Sequence, residues 1–275
     1  MGGREAIGTA FRRNGGRTLI PYVMAGDPDL ETTGRLLRAL DESGADLLEV
    51  GIPFSDPLAD GPTIQAAGIR SLAAGTDLAG TLGLLRSLAG ELRAPRVLMS
   101  YANPLLCRGV ERFAAEAAEA EVSGVIVPDL PFEESGPWAK ALRHRDVVLI
   151  RMAAPNSTEG DLAAIGAAAE GFLYCVSILG TTGNAARLAE RATAPDGTGG
   201  LERYLARVRR QTSVPRALGF GIDGPERVRA LGPLAEGLVV GSALVEQIAE
   251  AHREGADPVP RARTFFRSLR EARDG

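Results

Sequence analysis

Leu-Leu-Glu-Val-Gly-Ile-Pro-Phe-Ser-Asp-Pro-Leu-Ala-Asp-Gly-Pro-Thr-Ile-Gln, residues 47–65, joins a short apolar run to a proline-punctuated loop and then to a longer amphipathic stretch. The run Leu47–Gly51 has the length of a strand covered on both faces, and the prolines that follow keep the chain from extending it. Ile64–Ala73 then carries apolar residues at three- and four-residue spacing, the period of a helix. The same grammar recurs along the chain. Strands are expected at Thr18–Ala25, Leu47–Gly51, Arg96–Tyr101, Gly124–Pro128, Val147–Met152, Phe172–Ser177, Arg216–Gly219 and Leu238–Val240. Helices are expected at Leu30–Ser43, Leu78–Leu92, Val110–Ala120, Glu134–Arg143, Thr158–Ala169, Leu201–Thr212 and Pro225–Leu231. Strand and helix alternate without a long linker, which predicts an α/β fold, a closed parallel (β/α)8 TIM barrel rather than an open doubly wound sheet. Extra helices after the second strand and at Arg261–Arg273 belong to the same domain, residues 1–275. Met1–Gly16 reads as a polar, Gly-rich leader rather than a signal peptide, and Ala194–Gly200 as turn chemistry and the least ordered stretch. Loops that follow strands form the functional face of such a barrel.

Two acids stand out on that face. Glu49 interrupts an apolar strand and alternates with Leu48 and Val50, so it shares a face with Leu47 and should be buried. A buried carboxyl is neutral, paired or used. Residue type alone leaves a satisfied structural acid as the alternative to a catalytic one. Asp60, just ahead of Gly61-Pro62, has two readings of equal weight, a cap for the helix beginning near Thr63 and a catalytic acid. Asp56, in Ser-Asp-Pro, fixes a turn.

Composition excludes several chemistries. Lys140 is the only lysine among 31 basic residues and sits in a polar helical segment, which argues against a Schiff-base lyase. The two histidines, His144 and His252, lie in charged helical segments and offer no zinc site. Cys107 and Cys175 lack metal spacing and suit a reducing cytosol, so a cytoplasmic protein without a cysteine-held metal is expected. A net charge of −4 provides no basic field for nucleic acid, and no apolar run has the length of a membrane span.

The run Glu49–Gln65 closely resembles the signature segment of the tryptophan synthase α family. The likeness continues through Pro21-Tyr22-Val23-Met24-Ala25-Gly26-Asp27-Pro28, Tyr101-Ala102-Asn103-Pro104, Val127-Pro128-Asp129-Leu130-Pro131 with Glu133-Glu134-Ser135, Gly180-Thr181-Thr182-Gly183, Gly219-Phe220-Gly221-Ile222 and Gly241-Ser242-Ala243, in the family's order. The resemblance implies a cofactor-free lyase that splits indole-3-glycerol phosphate into indole and D-glyceraldehyde 3-phosphate, as the α subunit of an α2β2 tryptophan synthase. It implies Glu49 as the proton-shuttling acid and base, and Asp60 as the anion that holds the indole N–H. Gly183, Gly221, Gly241 and Ser242 match positions whose backbone amides receive the phosphate. Tyr22, Ile64, Met99, Tyr101, Ile126, Met152, Tyr174 and Phe220 match the indole pocket. The hydroxyls of Tyr101 and Tyr174 are expected to orient Glu49, Thr182 to bond Asp60 on loop closure, and Asp56 to serve the lid or a partner.

The sequence departs from the family at Tyr22, where phenylalanine is common, at Thr181, and in residues 184–200, where the loop is longer than usual and puts the β-subunit contact in question. Three other readings remain open on sequence alone: a stand-alone lyase releasing free indole, a phosphate-binding isomerase or cyclase on the same barrel, and a non-catalytic scaffold.

Overall fold

In the computed structural model, which describes residues 2–176, 199–219 and 221–275, all eight expected strands form, half of them shorter than the runs that marked them. They are β1 (Thr18–Met24), β2 (Leu48–Gly51), β3 (Arg96–Met99), β4 (Val122–Ile126), β5 (Val148–Ala153), β6 (Leu173–Val176), β7 (Arg216–Gly219) and β8 (Gly237–Val240). Each pairs in parallel with its successor, and β8 returns to β1 with Thr18 opposite Gly237, closing the barrel. Strand alternation divides the core in two. Ile20, Leu47, Val97, Ile126, Val148, Ile150, Phe172, Ala217 and Val239 fill the barrel interior. Their neighbours Leu19, Leu48, Val50, Leu98, Val125, Leu149, Leu218 and Leu238 point outward, into the layer between sheet and helices. Glu49 falls in the inward set, on the face of Leu47 as expected.

The surrounding helices are α1 (Gly3–Arg12), α2 (Leu30–Glu42), α3 (Pro62–Ala73), α4 (Leu78–Ser87), α5 (Ala102–Arg108), α6 (Val110–Glu119), α7 (Ser135–Arg143), α8 (Glu159–Ala168), α9 (Gly199–Gln211), α10 (Pro225–Leu231), α11 (Ser242–Arg253) and α12 (Pro258–Asp274). Several starts are capped by their own sequence: Asp29 accepts the Thr32 amide, Asp77 that of Gly80, and Thr158 with Asp161 forms a reciprocal capping box. No helix among the described residues is long and apolar enough to cross a membrane.

Three sequence readings are corrected. The leader contains a helix: α1 buries Ile7, Ala10 and Phe11, spaced at one turn, and Phe11 meets Phe172 with ring centroids 5.3 Å apart. This helix covers the N-terminal mouth of the barrel, and the Gly3 amide donates to the Asp146 carbonyl at 2.9 Å. The α5 helix is not among the expected helices; its Pro104 sits in the first turn, where a missing N–H costs no helical bond. Gly199 and Gly200, expected as turn, open α9. The rest of the long sixth loop, residues 177–198, lies outside the described residues.

The C-terminal helix is fixed by a buried ion pair. Arg273 Nη1 lies 2.6 Å from Asp46 Oδ2, with the two side chains only 4% and 5% exposed, and the same oxygen accepts the Leu19 amide at 2.8 Å. Asp46→Ala orphans the Leu19 amide and leaves the buried guanidinium with only the half-exposed Asp274 carboxylate, 2.7 Å from its Nε, so it is expected to lower the unfolding free energy by about 1–3 kcal/mol. Denaturant titration measures this. Asp46→Asn, which keeps an acceptor for Leu19, is expected to lose less; equal losses in the two variants would show that the amide bond contributes nothing.

Candidate active site

At the C-terminal end of the strands opens a cavity of about 540 Å³. Glu49 lies at its base and Asp60 in its wall, so the barrel brings both acids to one space. Tyr22, Ile64, Met99, Met152 and Tyr174 line it too, and Gly221, Gly241 and Ser242 form its far end. Ten of the expected site residues therefore share one cavity.

Glu49 is 1% exposed, and neither carboxylate oxygen has a hydrogen-bond partner among the described residues. Burial, with a smaller push from the charge of Asp60, raises its pKa to about 8. The acid is thus held protonated at neutral pH, with its donor and acceptor capacity uncommitted. Asp60 is raised to about 6 by burial, opposed by a hydrogen bond from Tyr101. At pH 7 the two acids occupy opposite protonation states, a division of labour typical of paired carboxyls that act as acid and anion.

The loop between β2 and α3 sets the position of Asp60. Its side chain does not cap α3: Gly61 is the N-cap residue, no side chain caps there, and Pro62 occupies the first turn. The helical alternative for Asp60 is thereby removed. Tyr101 holds the loop from the end of β3, its hydroxyl accepting the Ala59 amide at 2.9 Å and its ring lying 5.4 Å from that of Phe54. This corrects the expectation that the Tyr101 hydroxyl orients Glu49, since it serves Asp60 and the loop instead. Tyr22 lies opposite Glu49 in the β1–β2 register. Its hydroxyl packs over Gly51, where an added Cβ would sit 2.0 Å from it, so the strand end must be glycine for the tyrosine to fit. Burial raises the pKa of Tyr22 and Tyr174 well above the ordinary value, keeping both phenols neutral.

Other expected residues fall elsewhere. Ile126 belongs to the barrel interior beneath the cavity and does not line it. Asp56 is exposed on the loop and accepts a hydrogen bond from Ser55, which matches the turn reading. Thr182, Gly183 and Phe220 lie outside the described residues. Sequence reasoning missed the cavity residues Leu58, Pro128, Val176, Asp223 and Glu246. Glu246 lies four residues after Ser242 on α11, a spacing that puts both on one helix face and was available as a signal. Lys140, His144 and His252 are all exposed, and no cluster of metal-ligand side chains occurs among the described residues.

At the far end, α11 starts at Ser242 with Gly241 as its N-cap and no side chain capping it. Its leading amides thus have no helical acceptor and point a partial positive charge outward, the arrangement that receives anions.

A sequence profile for the tryptophan synthase alpha chain matches residues 9–273. The chain belongs to this family. The tryptophan synthase alpha chain of Synechococcus elongatus is 44% identical over 266 residues, 96% of this chain and 94% of that one. Among solved structures, the tryptophan synthase alpha subunit of Legionella pneumophila superposes with a TM-score of 0.88 at 33% identity, covering 100% of this chain and 99% of that one. A structure from Pyrococcus furiosus described as the mutually activated tryptophan synthase α2β2 complex superposes with a TM-score of 0.81 at 34% identity, covering 92% and 98%. The chain thus spans nearly the full length of tryptophan synthase alpha relatives, with the two acids and Gly221, Gly241 and Ser242 in a single cavity.

Proposed function

We propose that this chain is a cytoplasmic lyase of tryptophan biosynthesis, a single barrel domain that cleaves indole-3-glycerol phosphate to indole and D-glyceraldehyde 3-phosphate as the α subunit of tryptophan synthase. The observation that carries the chemistry is the pairing in one cavity of a buried, protonated Glu49 with an ionised Asp60, opposite an amide-lined end suited to phosphate.

The reaction is a retro-aldol cleavage of the C3–C3′ bond. Glu49 donates its proton to C3 of the indole ring, which turns the ring into a competent leaving group and places positive charge toward the ring nitrogen. Asp60, as carboxylate, accepts the hydrogen bond of the indole N–H and stabilises that charge. The Glu49 carboxylate then takes the proton of the 3′-hydroxyl as the C3–C3′ electrons return to the ring, releasing indole and the aldehyde. The acid ends the cycle protonated, and no redox equivalent or covalent intermediate is involved. Tyr101 keeps the Asp60 loop in place, and Tyr22, Met99, Met152 and Tyr174 supply apolar walls for the ring. The amides at Gly221, Gly241 and Ser242 receive the phosphate.

This division of protonation states sets a pH window. The productive form has Asp60 ionised and Glu49 protonated, so kcat/KM is expected to fall below pH about 6 as Asp60 gains a proton and above about 8 as Glu49 loses one. A pH–rate profile with either limb missing would contradict the assignment.

A β-subunit partner fits the surface beside the cavity mouth. Leu58, on the loop carrying Asp60, and Leu106 on α5 are 82% and 56% exposed, apolar side chains that a docked protein would cover. The deciding experiment is a lyase assay of the purified chain with and without a cognate β subunit. Release of glyceraldehyde 3-phosphate that rises on adding the partner is the expected result. No release in either case would remove the lyase reading, and equal release in both would remove the subunit role.

A further inference from the structure

The cavity poses an electrostatic problem: its described lining carries Glu49, Asp60, Asp223 and Glu246 and no lysine or arginine. Among the described lining residues a phosphate dianion entering that space meets amide dipoles and hydroxyls but no side-chain cation, and the start of α11 supplies roughly half an elementary charge. Glu246 is held by Arg253 at 2.8 Å and so partly neutralised, but no ion pair of Asp223 is found among the described residues. Among the described residues, a side-chain cation is bonded directly to the Gly221 end of the cavity. Arg227, on α10, donates from Nε to the Gly221 carbonyl at 3.1 Å, and its Nη2 lies 3.6 Å from the point where a Gly221 Cβ would stand. Gly221 has φ +82°, a conformation that places its amide and carbonyl where a side chain would otherwise strain the backbone.

We infer that Arg227 is the positioning residue of the phosphate end: by gripping the Gly221 carbonyl it fixes the direction of that residue's backbone, and its guanidinium supplies the full positive charge that the acidic lining lacks. This rests on the proposed lyase function for the identity of the ligand, though not for the presence of an anion site. Arg227 acts through Gly221 and through its field, so its effect is specific to substrates that carry the phosphate and is absent with the same substrates lacking it.

The test crosses the residue with the ligand's charge. Arg227→Gln is expected to raise KM for indole-3-glycerol phosphate by roughly tenfold, with the loss concentrated in KM rather than kcat, and to leave KM for unphosphorylated indoleglycerol unchanged. Arg227→Lys, which keeps the charge, is expected to recover most of the loss at low ionic strength. Arg229→Gln, a charge removed from the same helix but beside Arg17 and Arg273 at another groove, serves as the control and is expected to change neither KM. Calorimetric binding of glycerol 3-phosphate gives a readout independent of turnover, with a dissociation constant raised by roughly the same factor in Arg227→Gln. Unchanged binding and KM in that variant would overturn the inference, as would an equal rise for both substrates, which marks a merely structural residue. A wild-type chain that binds glycerol 3-phosphate through Arg227 but cleaves nothing would remove the lyase function and leave the inference standing.

Discussion

Glu49→Gln is expected to lower kcat for indole-3-glycerol phosphate cleavage by on the order of 10³, with KM changed little. Glutamine has nearly the shape of the acid and fills the same space at the base of the cavity, but it has no proton to deliver to C3 and no basic oxygen to take one from the 3′-hydroxyl. The fold should tolerate it. Glu49 makes no hydrogen bond to the described residues through its carboxylate oxygens and is held in its neutral form by burial, so a neutral amide replaces a neutral acid. Indole release at substrate saturation measures the effect, and thermal unfolding of the same sample confirms that the barrel survives. A kcat within tenfold of the parent chain would mean that another group moves the proton. Glu49→Asp separates position from chemistry: it keeps the carboxyl but withdraws it by about one bond length (~1.5 Å), so an intermediate rate is expected, because proton transfer demands hydrogen-bond reach.

How much of this was legible in the sequence follows from which physical signals are local. The eight strands were readable because strands covered on both faces become short continuous apolar runs, and Glu49 was conspicuous for breaking one of them. Helix α1 escaped notice because its buried face amounts to Ile7, Ala10 and Phe11 among glycines and charges, and only the barrel mouth beneath them gives that small stripe something to cover. The role of Asp60 was ambiguous for a similar reason. An acid two residues before a helix is a natural cap, and only the placement of Gly61 as N-cap, with the Tyr101 hydroxyl arriving from the next strand, distinguishes the readings. That contact joins residues 42 apart in sequence, and no local pattern encodes it. The acidic character of the cavity is likewise a tertiary property: Asp223 and Glu246 are unremarkable as a loop acid and a helix acid until the closed barrel sets β7 beside β8. The family resemblance located the reacting acids and the glycine end, whereas the cation behind Gly221 came from geometry alone.

Asp60→Asn is expected to cost roughly 10²–10³ in kcat, the scale on which an enzyme loses rate when one group aimed at developing charge is removed. Asparagine preserves the size of the side chain and an acceptor for Tyr101, so the loop should remain docked. It cannot remain an anion as the ring becomes positive. The pH profile provides the more discriminating evidence, because the two acids repel each other's charge and that repulsion forms part of the rise at Glu49. With the Asp60 charge removed, Glu49 ionises more easily and the alkaline limb should move below about 8, while the acid limb near 6, which belongs to Asp60, should vanish. Tyr101→Phe, in a chain that keeps Asp60, should instead shift the acid limb. The Tyr101 hydrogen bond holds the Asp60 pKa down, so losing it should carry the acid limb upward and narrow the active window from below. If Asp60→Asn keeps an acid limb near 6, that limb belongs to a different group, and Asp60 is not the anion on which the ring's positive charge depends.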